Sequence, residues 1–413
     1  MASDTTLTPA ERAHFLRRTC FSASDDLMLE TEALTSKALL IDWLLAKPIG
    51  NYTYPDWYQS PPNLQDLSQD ERKTVRRDMS KELLAWWQAL LIQSDTPFYE
   101  QLSVFWHNHF VSSIQKVKLP NVMLKQNDLF RQQGLGNFKS LLASILKDPA
   151  MLIYLDNASS KKDSPNENLA RELLELFTLG EGNYTEFDIK ELARALTGAS
   201  VKRRTGEYIF KKRWHDDGDK TIFGETASFS VENLAELIVK QPSCATFIVT
   251  KFWLHFVDSN PIESEVDIIA QTFVDSGFEI KALLEALFLS DFFWQSQGQQ
   301  VKSPVQLIVG TYRQFNLASL TDRQWRSLTK NMGQLLFVPP NVKGWPGGKA
   351  WYASAAIFYR ESFIDQFVRW HQSSGLQTST TQLLAAQSVA SLDEISNSSE
   401  LMLAMADPAY QVI

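Results

Sequence analysis

The chain has 413 residues, of which 44% are hydrophobic and 12% aromatic, so it can bury a large core as one large domain or as two to three smaller ones. Its formal net charge of −8 and its pI near 5.4 argue against a nucleic-acid-binding protein that relies on bulk positive charge. The two cysteines, Cys20 and Cys244, lie in apolar helical contexts, which favour buried free thiols over a disulfide or a zinc site.

Apolar residues recur at helical spacing along most of the chain. The predicted helices span about 8–20, 26–47, 79–94, 96–113, 137–147, 167–179, 185–197, 231–241, 243–257, 262–276, 279–290, 303–315, 322–333 and 353–371. Strand patterns are scarce, but Tyr208 and Phe210 alternate with polar residues between the turn residues Gly206 and Gly218. The sequence therefore predicts a mainly α fold, a large multi-helix globular array with a small β-hairpin insertion near 200–230.

The pattern divides the chain into four segments. They are an N-terminal helical region with a polar site helix (1–199), the hairpin insertion (200–230), a C-terminal helical region with a Gly/Pro/Trp loop (231–372), and a connector with a terminal helix (373–413). No apolar run reaches the length of a membrane span, and the chain opens with a helix capped at Thr8 instead of an apolar leader. We expect no membrane insertion, and a location that is cytoplasmic by default or periplasmic through export with a partner.

The sequence WHNHF, from Trp106 to Phe110, carries two histidines within a helical pattern. On a helix their imidazoles point about 200° apart, so they cannot chelate one metal ion together. His109 falls on the apolar stripe and is expected to be a core histidine, whereas His107 or Asn108 could reach a cleft. His107 is therefore a candidate binding residue.

Residues 156–198 hold a dense group of polar side chains on the start and one face of an otherwise apolar helix. Asn166 is a suitable N-cap, because its side chain can accept a hydrogen bond from a free backbone N–H of the first turn. Gly180 is placed for a left-handed C-cap at the far end of the helix 167–179. The polar density predicts a site without naming a reaction.

The polar face of this helix carries two carboxylates three residues apart, Glu172 and Glu175, which can point the same way. Such a pair can bind a divalent metal ion, hold a base or grip a cation, and Arg171 beside it could stabilise negative charge. The alternative interpretation is a salt-bridge ladder through Glu167, Arg171 and Glu175. The candidate binding residues of this stretch are Asp156, Asn157, Asn166, Glu167 and Asn168.

A second candidate lies in the loop RWHDDGDKTIFG, residues 213–224. A His–Asp pair can ligate a metal or transfer a proton, so His215 and Asp216 are metal-ligand candidates together with the two glutamates. Lys220 is a catalytic candidate in the same loop. The alternative is a polar turn that caps neighbouring backbone.

A third candidate is the loop GQLLFVPPNVKGWPGGKAWYASAA, residues 333–356. Its prolines restrict the backbone, whereas its glycines allow backbone angles that other residues avoid. The loop places the candidate binding residues Asn341, Lys343 and Trp345 near a helix start. The spacing matches neither a P-loop nor GxGxxG, so nucleotide binding has little support. The alternative is a structural loop that packs Trp345 and Trp351 into the core.

Phrases along most of the chain resemble the bacterial family called "domain of unknown function 1800". The most specific are WHNHF, DPAMLIYLDNASS, NENLARELLELFTLG, YTEFDIKELARALTG, HDDGDKTIFG and FVPPNVKGWPGG. The resemblance implies a mostly helical fold and, often, a neighbouring gene for a sulfatase-like "domain of unknown function 1501" protein with a twin-arginine leader. It brings no catalytic assignment.

Three hypotheses of function follow, and the first two take the polar segments to converge on one cleft. The first is a binding or accessory protein that works with a sulfatase-like partner on a glycan or other polymer. The second is a metal-assisted hydrolase or transferase, in which Glu172, Glu175, His215 and Asp216 hold a divalent ion that activates water. In the third, the polar clusters are only caps and ion pairs of a structural or interaction protein.

Overall fold

The computed structural model describes residues 6–202, 204–317, 320–371, 378–379, 383–386, 394–395 and 397–413. Its helices are α1 (Pro9–Cys20), α2 (Asp25–Glu30), α3 (Lys37–Ala46), α4 (Gln69–Gln93), α5 (Pro97–His109), α6 (Ile114–Val117), α7 (Pro120–Gln133), α8 (Phe138–Ile145), α9 (Pro149–Tyr154), α10 (Asn168–Glu172), a π-helix (Leu173–Thr178), α11 (Glu186–Ala195), α12 (Val231–Val239), α13 (Pro242–Phe256), α14 (Glu263–Asp275), α15 (Ile280–Leu289), α16 (Asp291–Gln295), α17 (Pro304–Gln314), α18 (Asp322–Asn331), α19 (Ser354–His371) and α20 (Ser398–Ala406). The strands are β1 (Ala199–Val201), β2 (Tyr208–Phe210), β3 (Lys220–Ile222), β4 (Glu225–Ala227), β5 (Thr378–Ser379) and β6 (Glu394–Ile395). The prediction of a mainly α fold is confirmed, and much of the predicted connector within 373–413 lies outside the described residues.

Helix starts follow the capping signals of the sequence. At α1 the Glu11 N–H donates to Thr8 Oγ1 at 3.2 Å, and the Thr8 N–H donates to Glu11 Oε2 at 2.9 Å, which completes a capping box. The predicted single helix over 26–47 is wrong, because α2 ends at Glu30 and α3 begins anew after Ser36. Ser36 Oγ accepts the Leu39 N–H at 3.3 Å and caps the second helix.

The predicted helix over 167–179 changes type at its middle. After α10 the backbone widens into the π-helix, in which the Leu179 N–H donates to the carbonyl of Leu174, five residues earlier, at 2.9 Å. The Thr178 hydroxyl supports the wide turn by donating to the Leu173 carbonyl at 2.6 Å. Such π-turns are rare in proteins, but those that occur are often found at functional sites. This one begins directly after Glu172 and contains Glu175.

The insertion near 200–230 contains two antiparallel hairpins instead of the single one predicted. In the first, β1 pairs with β2, and in the second, β3 pairs with β4. Phe223 and Gly224 connect β3 to β4 with φ values of 49° and 80°, the positive angles of a type I′ turn. The Phe223 N–H is held by Asp188 Oδ1 of α11 at 2.7 Å, which stabilises this left-handed residue.

The apolar side chains form two buried clusters that meet at α5. One cluster includes Trp106 and the aromatic face of α13, and the other includes Trp87 of α4 and Trp325 of α18. The π-helix packs against α13, and α10 packs against α11. No helix in the described part of the chain has the length and apolarity that crossing a membrane requires.

Candidate functional site

Two carboxylates lie at the junction of α10 and the π-helix. Glu172 is the last residue of α10 and Glu175 lies one turn later, and both are half-buried. Burial raises the pKa of the Glu172 carboxyl and the Glu175 carboxylate adds to that increase, whereas Lys343 and Arg171 oppose it. The local environment therefore favours a proton, a cation or a hydrogen-bond donor at this pair.

The two carboxylates differ in their partners. Tyr184 donates its hydroxyl to Glu175 Oε2 at 3.2 Å, and burial together with the Glu175 charge raises the pKa of Tyr184 to about 12. Within the described ranges, no donor hydrogen-bonds the side chain of Glu172 and no cation forms an ion pair with it. Glu172 is thus a half-buried carboxylate with unused acceptor capacity.

Two ammonium groups reach the same region from other elements. The exposed Lys343 comes from the Gly/Pro/Trp loop and acts electrostatically on Glu172. Lys251 comes from α13, and burial lowers its pKa, to which the charge of Lys343 adds. Its ammonium lies 4.9 Å from the ring centre of Phe247. Lys343 thus acts on Glu172, and Lys251 is coupled to this group through Lys343. We call Glu172, Glu175, Lys251 and Lys343 the mixed-charge site.

The loop that carries Lys343 is fixed by its neighbours. The Trp345 N–H donates to Asn108 Oδ1 at 2.7 Å, and the Lys343 N–H donates to Asn341 Oδ1 at 2.8 Å. Gly344 has a φ of 83°, and a Cβ there would lie 2.3 Å from Asn108 Oδ1. The backbone therefore requires glycine at this position so that the loop can approach α5.

The side chains of His107 and Trp345 lie in the core behind the site. His107 Nε2 accepts the Phe337 N–H at 3.2 Å, and the rings of His107 and Trp345 are 5.4 Å apart. Burial lowers the pKa of His107 to about 3, so the ring is neutral. Neither side chain reaches a cleft, which supports the structural alternative for the Trp345 ring. His109 is also buried, as expected.

Arg171 connects two helices. Its guanidinium donates to both carboxylate oxygens of Glu186 on α11, at 2.7 and 2.8 Å, and to Glu167 at 3.5 Å. These contacts raise the pKa of Arg171, chiefly through the hydrogen bond to Glu186. The predicted ladder is thus present between Glu167 and Arg171, but Glu175 bonds Tyr184 instead.

In the turn before α10, both predicted binding residues contact other residues of the protein. Asp156 has a φ of 62° and forms an exposed ion pair with Lys116 at 2.7 Å. Asn157 is buried, and its Nδ2 donates to the Leu196 carbonyl at 3.1 Å, while its Oδ1 has no hydrogen-bond partner in the described structure. This turn joins the start of the site helix to the end of α11.

The start of α10 lies slightly later than predicted. Glu167 is the N-terminal boundary residue, and Asn166 Oδ1 accepts the Asn168 N–H at 2.9 Å. The Asn168 side chain donates in turn to the Leu155 carbonyl at 3.4 Å. Asn166 therefore satisfies a backbone N–H of the first turn, as a capping residue does, from one position further out.

The His215–Asp216 loop has internal partners. His215 Nδ1 lies 2.8 Å from the Thr197 carbonyl, and Asp216 accepts from Arg194 at 2.8 and 3.3 Å. The hydrogen bond from Arg194 lowers the pKa of Asp216. Lys220 is buried and donates to the Asp216 carbonyl, and its burial lowers its pKa. The Asp216 carboxylate is thus ion-paired, and these internal contacts favour the alternative of a polar turn.

The described residues do not assemble the predicted four-residue metal site. No three His, Cys, Asp or Glu side chains among them group around a common point. The physical reason is that Asp216 is committed to Arg194 in the loop beside α11, while the two glutamates form a pair of their own at the junction of α10 and the π-helix. A metal ion at Glu172 and Glu175 would need its other ligands from water or substrate.

Two residues of the site escaped the sequence analysis. Lys251 is a single cation within the apolar helix FIVTKFWLHF, and a lone charge on such a helix is a signal that could have identified it. Tyr184 lies in the turn after the π-helix, and a tyrosine in a turn has no sequence pattern that predicts a site residue. Asn108 was noted only for its possible access to a cleft, and its role in holding the loop depends on a long-range contact.

Comparison with known proteins identifies one family. The model of one family, described as "Protein of unknown function (DUF1800)", matches residues 14–412, which is nearly the whole chain. No curated protein and no solved structure matches.

Proposed function

The chain belongs to the DUF1800 family, and because that description assigns no activity, we propose from the mixed-charge site that the protein binds an acidic glycan. Carboxylates are hydrogen-bond acceptors for sugar hydroxyls, and ammonium groups pair with sulfate or carboxylate substituents. A ligand that carries both hydroxyls and anionic groups therefore matches both halves of the site.

One observation carries the proposal, namely the unused acceptor capacity of the half-buried Glu172. Keeping a carboxylate partly desolvated beside a second carboxylate is unfavourable, so a purely structural helix gains nothing from it. A bound hydroxyl group would donate to Glu172 and offset this cost. Lys343, on its rigid loop, would hold the anionic substituent close by.

We further propose that the protein acts as an accessory to a sulfatase-like enzyme of the "domain of unknown function 1501" family. The support is the resemblance described above, together with the suitability of the ammonium groups for sulfate esters. In this arrangement the chain would hold the polymer while the partner removes sulfate. Co-purification of the two proteins, followed by measurement of desulfation with and without this chain, tests the association.

The binding test is isothermal titration with three tetrasaccharide probes: chondroitin sulfate, unsulfated chondroitin and a neutral cello-oligosaccharide. We expect the order of affinity to follow the anionic content of the probe, and we expect binding to weaken as salt increases. Lys343→Gln should reduce the affinity for the two anionic probes. Its matched control is Lys349→Gln, an exposed lysine of the same loop.

Glutamate variants test the other half of the site. Glu172→Gln should weaken the binding of every probe that binds the wild type, because an amide oxygen is a weaker acceptor for hydroxyl groups than a carboxylate oxygen. Glu285→Gln, an exposed glutamate on α15, is the control. If the wild type binds none of the three probes, or binds the neutral probe as tightly as the sulfated one, the proposed ligand class is wrong.

A second candidate function rests on the raised pKa of Glu172 beside Glu175. Two close carboxylates with different environments suit general acid–base catalysis or, with a divalent ion, metal-assisted hydrolysis or transfer. This hypothesis predicts that the isolated chain turns over an oligosaccharide, with or without added Mg²⁺, Mn²⁺ or Zn²⁺. Product analysis by mass spectrometry separates it from simple binding.

A further inference from the structure

An open groove lies between α4, α6, α18 and the loop segment 333–340. It encloses about 400 Å³ and has a mixed lining. Leu84, Leu335 and Val338 provide apolar walls, while Arg326 and Lys330 provide charge. The volume is that of a small-ligand site.

The charge of this groove is unusual for a protein with a net charge of −8. No acidic side chain is among its lining residues. Arg326 and Lys330 lie one turn apart on α18, where like charges repel each other. Among the described residues neither forms an ion pair, and the carboxylate nearest along the helix is Asp322, one turn before Arg326. A bound anion would relieve this repulsion.

A further cation lies beside the groove. Arg76 precedes the lining residue Ser80 by one turn of α4, and the Ser80 hydroxyl donates to the Arg76 carbonyl at 2.6 Å. Its Nε is buried and has no hydrogen-bond partner in the described structure. Residues four apart share a helix face, so Arg76 adds positive charge to the same side of α4.

Two elements bring the groove close to the mixed-charge site. Pro340 lines the groove and Lys343 belongs to the site, and three residues can separate their Cα atoms by at most about 11 Å. On α6, Gln115 lines the groove, while the next residue, Lys116, bonds Asp156 in the turn before α10. The two places are therefore close enough for one extended ligand to contact both.

We propose that the groove is a second anion subsite, in which Arg326 and Lys330 bind a sulfate or carboxylate group of the same acidic glycan. The inference rests on the proposed function, and it adds the requirement that the ligand is a chain long enough to reach both places. The apolar walls fit the faces of sugar rings between the anionic groups. Recognition is then of a polymer and not of a single sugar.

The experiment compares chondroitin sulfate tetrasaccharide and decasaccharide by isothermal titration on the full chain. We expect the wild type to bind the decasaccharide more tightly. The double variant Arg326→Gln/Lys330→Gln should bind the decasaccharide roughly tenfold more weakly, because it loses two partly exposed ion pairs with the ligand. Its affinity for the tetrasaccharide should not change. Arg213→Gln/Lys281→Gln removes two exposed cations elsewhere and should bind both probes as the wild type does. Titration with unsulfated chondroitin of the same lengths, which has carboxylates but no sulfate, shows which of the two groups the groove binds.

The outcomes separate the two proposals. If the double variant keeps the wild-type affinity for the decasaccharide, or loses affinity equally for both lengths, the groove is not a subsite, while the mixed-charge site stands. If the wild type binds neither probe, both proposals fail. A thermal unfolding curve of each variant establishes that lost binding is not lost folding.

Discussion

Asn108 and Trp345, which lie 237 residues apart in sequence, are joined by a hydrogen bond of 2.7 Å from the Trp345 N–H to the Asn108 side-chain oxygen. This bond fixes the loop that carries Lys343 against the end of α5. Because the loop residue Gly344 has a left-handed conformation and no side chain, the close approach depends on a single glycine.

Gly344→Ala should displace the loop. The methyl group would meet Asn108, and the left-handed conformation costs an alanine about 1–2 kcal/mol. We expect lower affinity for the anionic oligosaccharides and a modestly lower free energy of unfolding, measured by titration and by urea denaturation. Gly347→Ala is the control, because a Cβ there meets no atom within 4 Å. Equal affinities for the two variants would contradict the role of the loop.

Asp216 is expected to stabilise the fold and not to bind ligand. Asp216→Asn removes the charge that pairs with Arg194 in a partly exposed contact, which should cost roughly 1–2 kcal/mol of unfolding free energy. Urea denaturation measures the cost, and titration should find unchanged glycan affinity. If the variant has wild-type stability but altered glycan affinity, Asp216 is a ligand-binding residue and the prediction is wrong.

The stabilisation by Asp216 should also depend on pH in a defined direction. Its pKa is lowered in the folded protein, so its contribution is present above the unfolded-state pKa and is lost as pH falls through the folded one. The difference in unfolding free energy between wild type and Asp216→Asn should therefore be full at neutral pH and shrink below about pH 4. A difference that stays constant down to pH 2 would be inconsistent with this contact.

The ion pair between Glu100 and Arg131 should contribute strongly to stability. Both side chains are fully buried, with Arg131 Nε 2.6 Å from Glu100 Oε1 and the Trp87 indole N–H 3.0 Å from Glu100 Oε2. Glu100→Ala leaves the buried guanidinium with the Asn127 side-chain oxygen and the Asp128 carboxylate, 4.0 Å away, as its remaining side-chain acceptors, and should cost about 3–5 kcal/mol in urea denaturation. A loss below 1 kcal/mol, similar to that of the exposed Glu285→Ala, would mean that solvent reaches Arg131.

Much of the architecture could be predicted from local pattern. Helical periodicity and the capping box at Thr8 gave helix positions, because both depend on residues a few positions apart. The π-helix could not be predicted, since the leucine stripe of 167–179 fits an ordinary helix and the wide turn depends on the surrounding packing. The break between α2 and α3 was missed because the apolar pattern of 26–47 outweighed the capping signal of Ser36.

The site was predictable only in part for the same reason. Glu172 and Glu175 are neighbours on one helix, so their spacing in sequence predicted their proximity. Lys251 and Lys343 join them through tertiary packing, on which the spacing of residues carries no information. His215 and Asp216 have types suited to a metal site, but their partners Thr197 and Arg194 became known only from the fold.

The most direct test of the account is to measure the stability and the ligand affinity of Glu172→Gln on the same preparation. Burial raises the pKa of Glu172, so its charged form destabilises the fold, and this destabilisation grows as pH rises through the folded-state pKa. We therefore predict that Glu172→Gln is as stable as the wild type or more stable at neutral pH, and that it binds chondroitin sulfate at least about tenfold more weakly, as expected for a lost charge-assisted hydrogen bond. A clear loss of stability with unchanged affinity would contradict the account, because Glu172 would then be a structural residue.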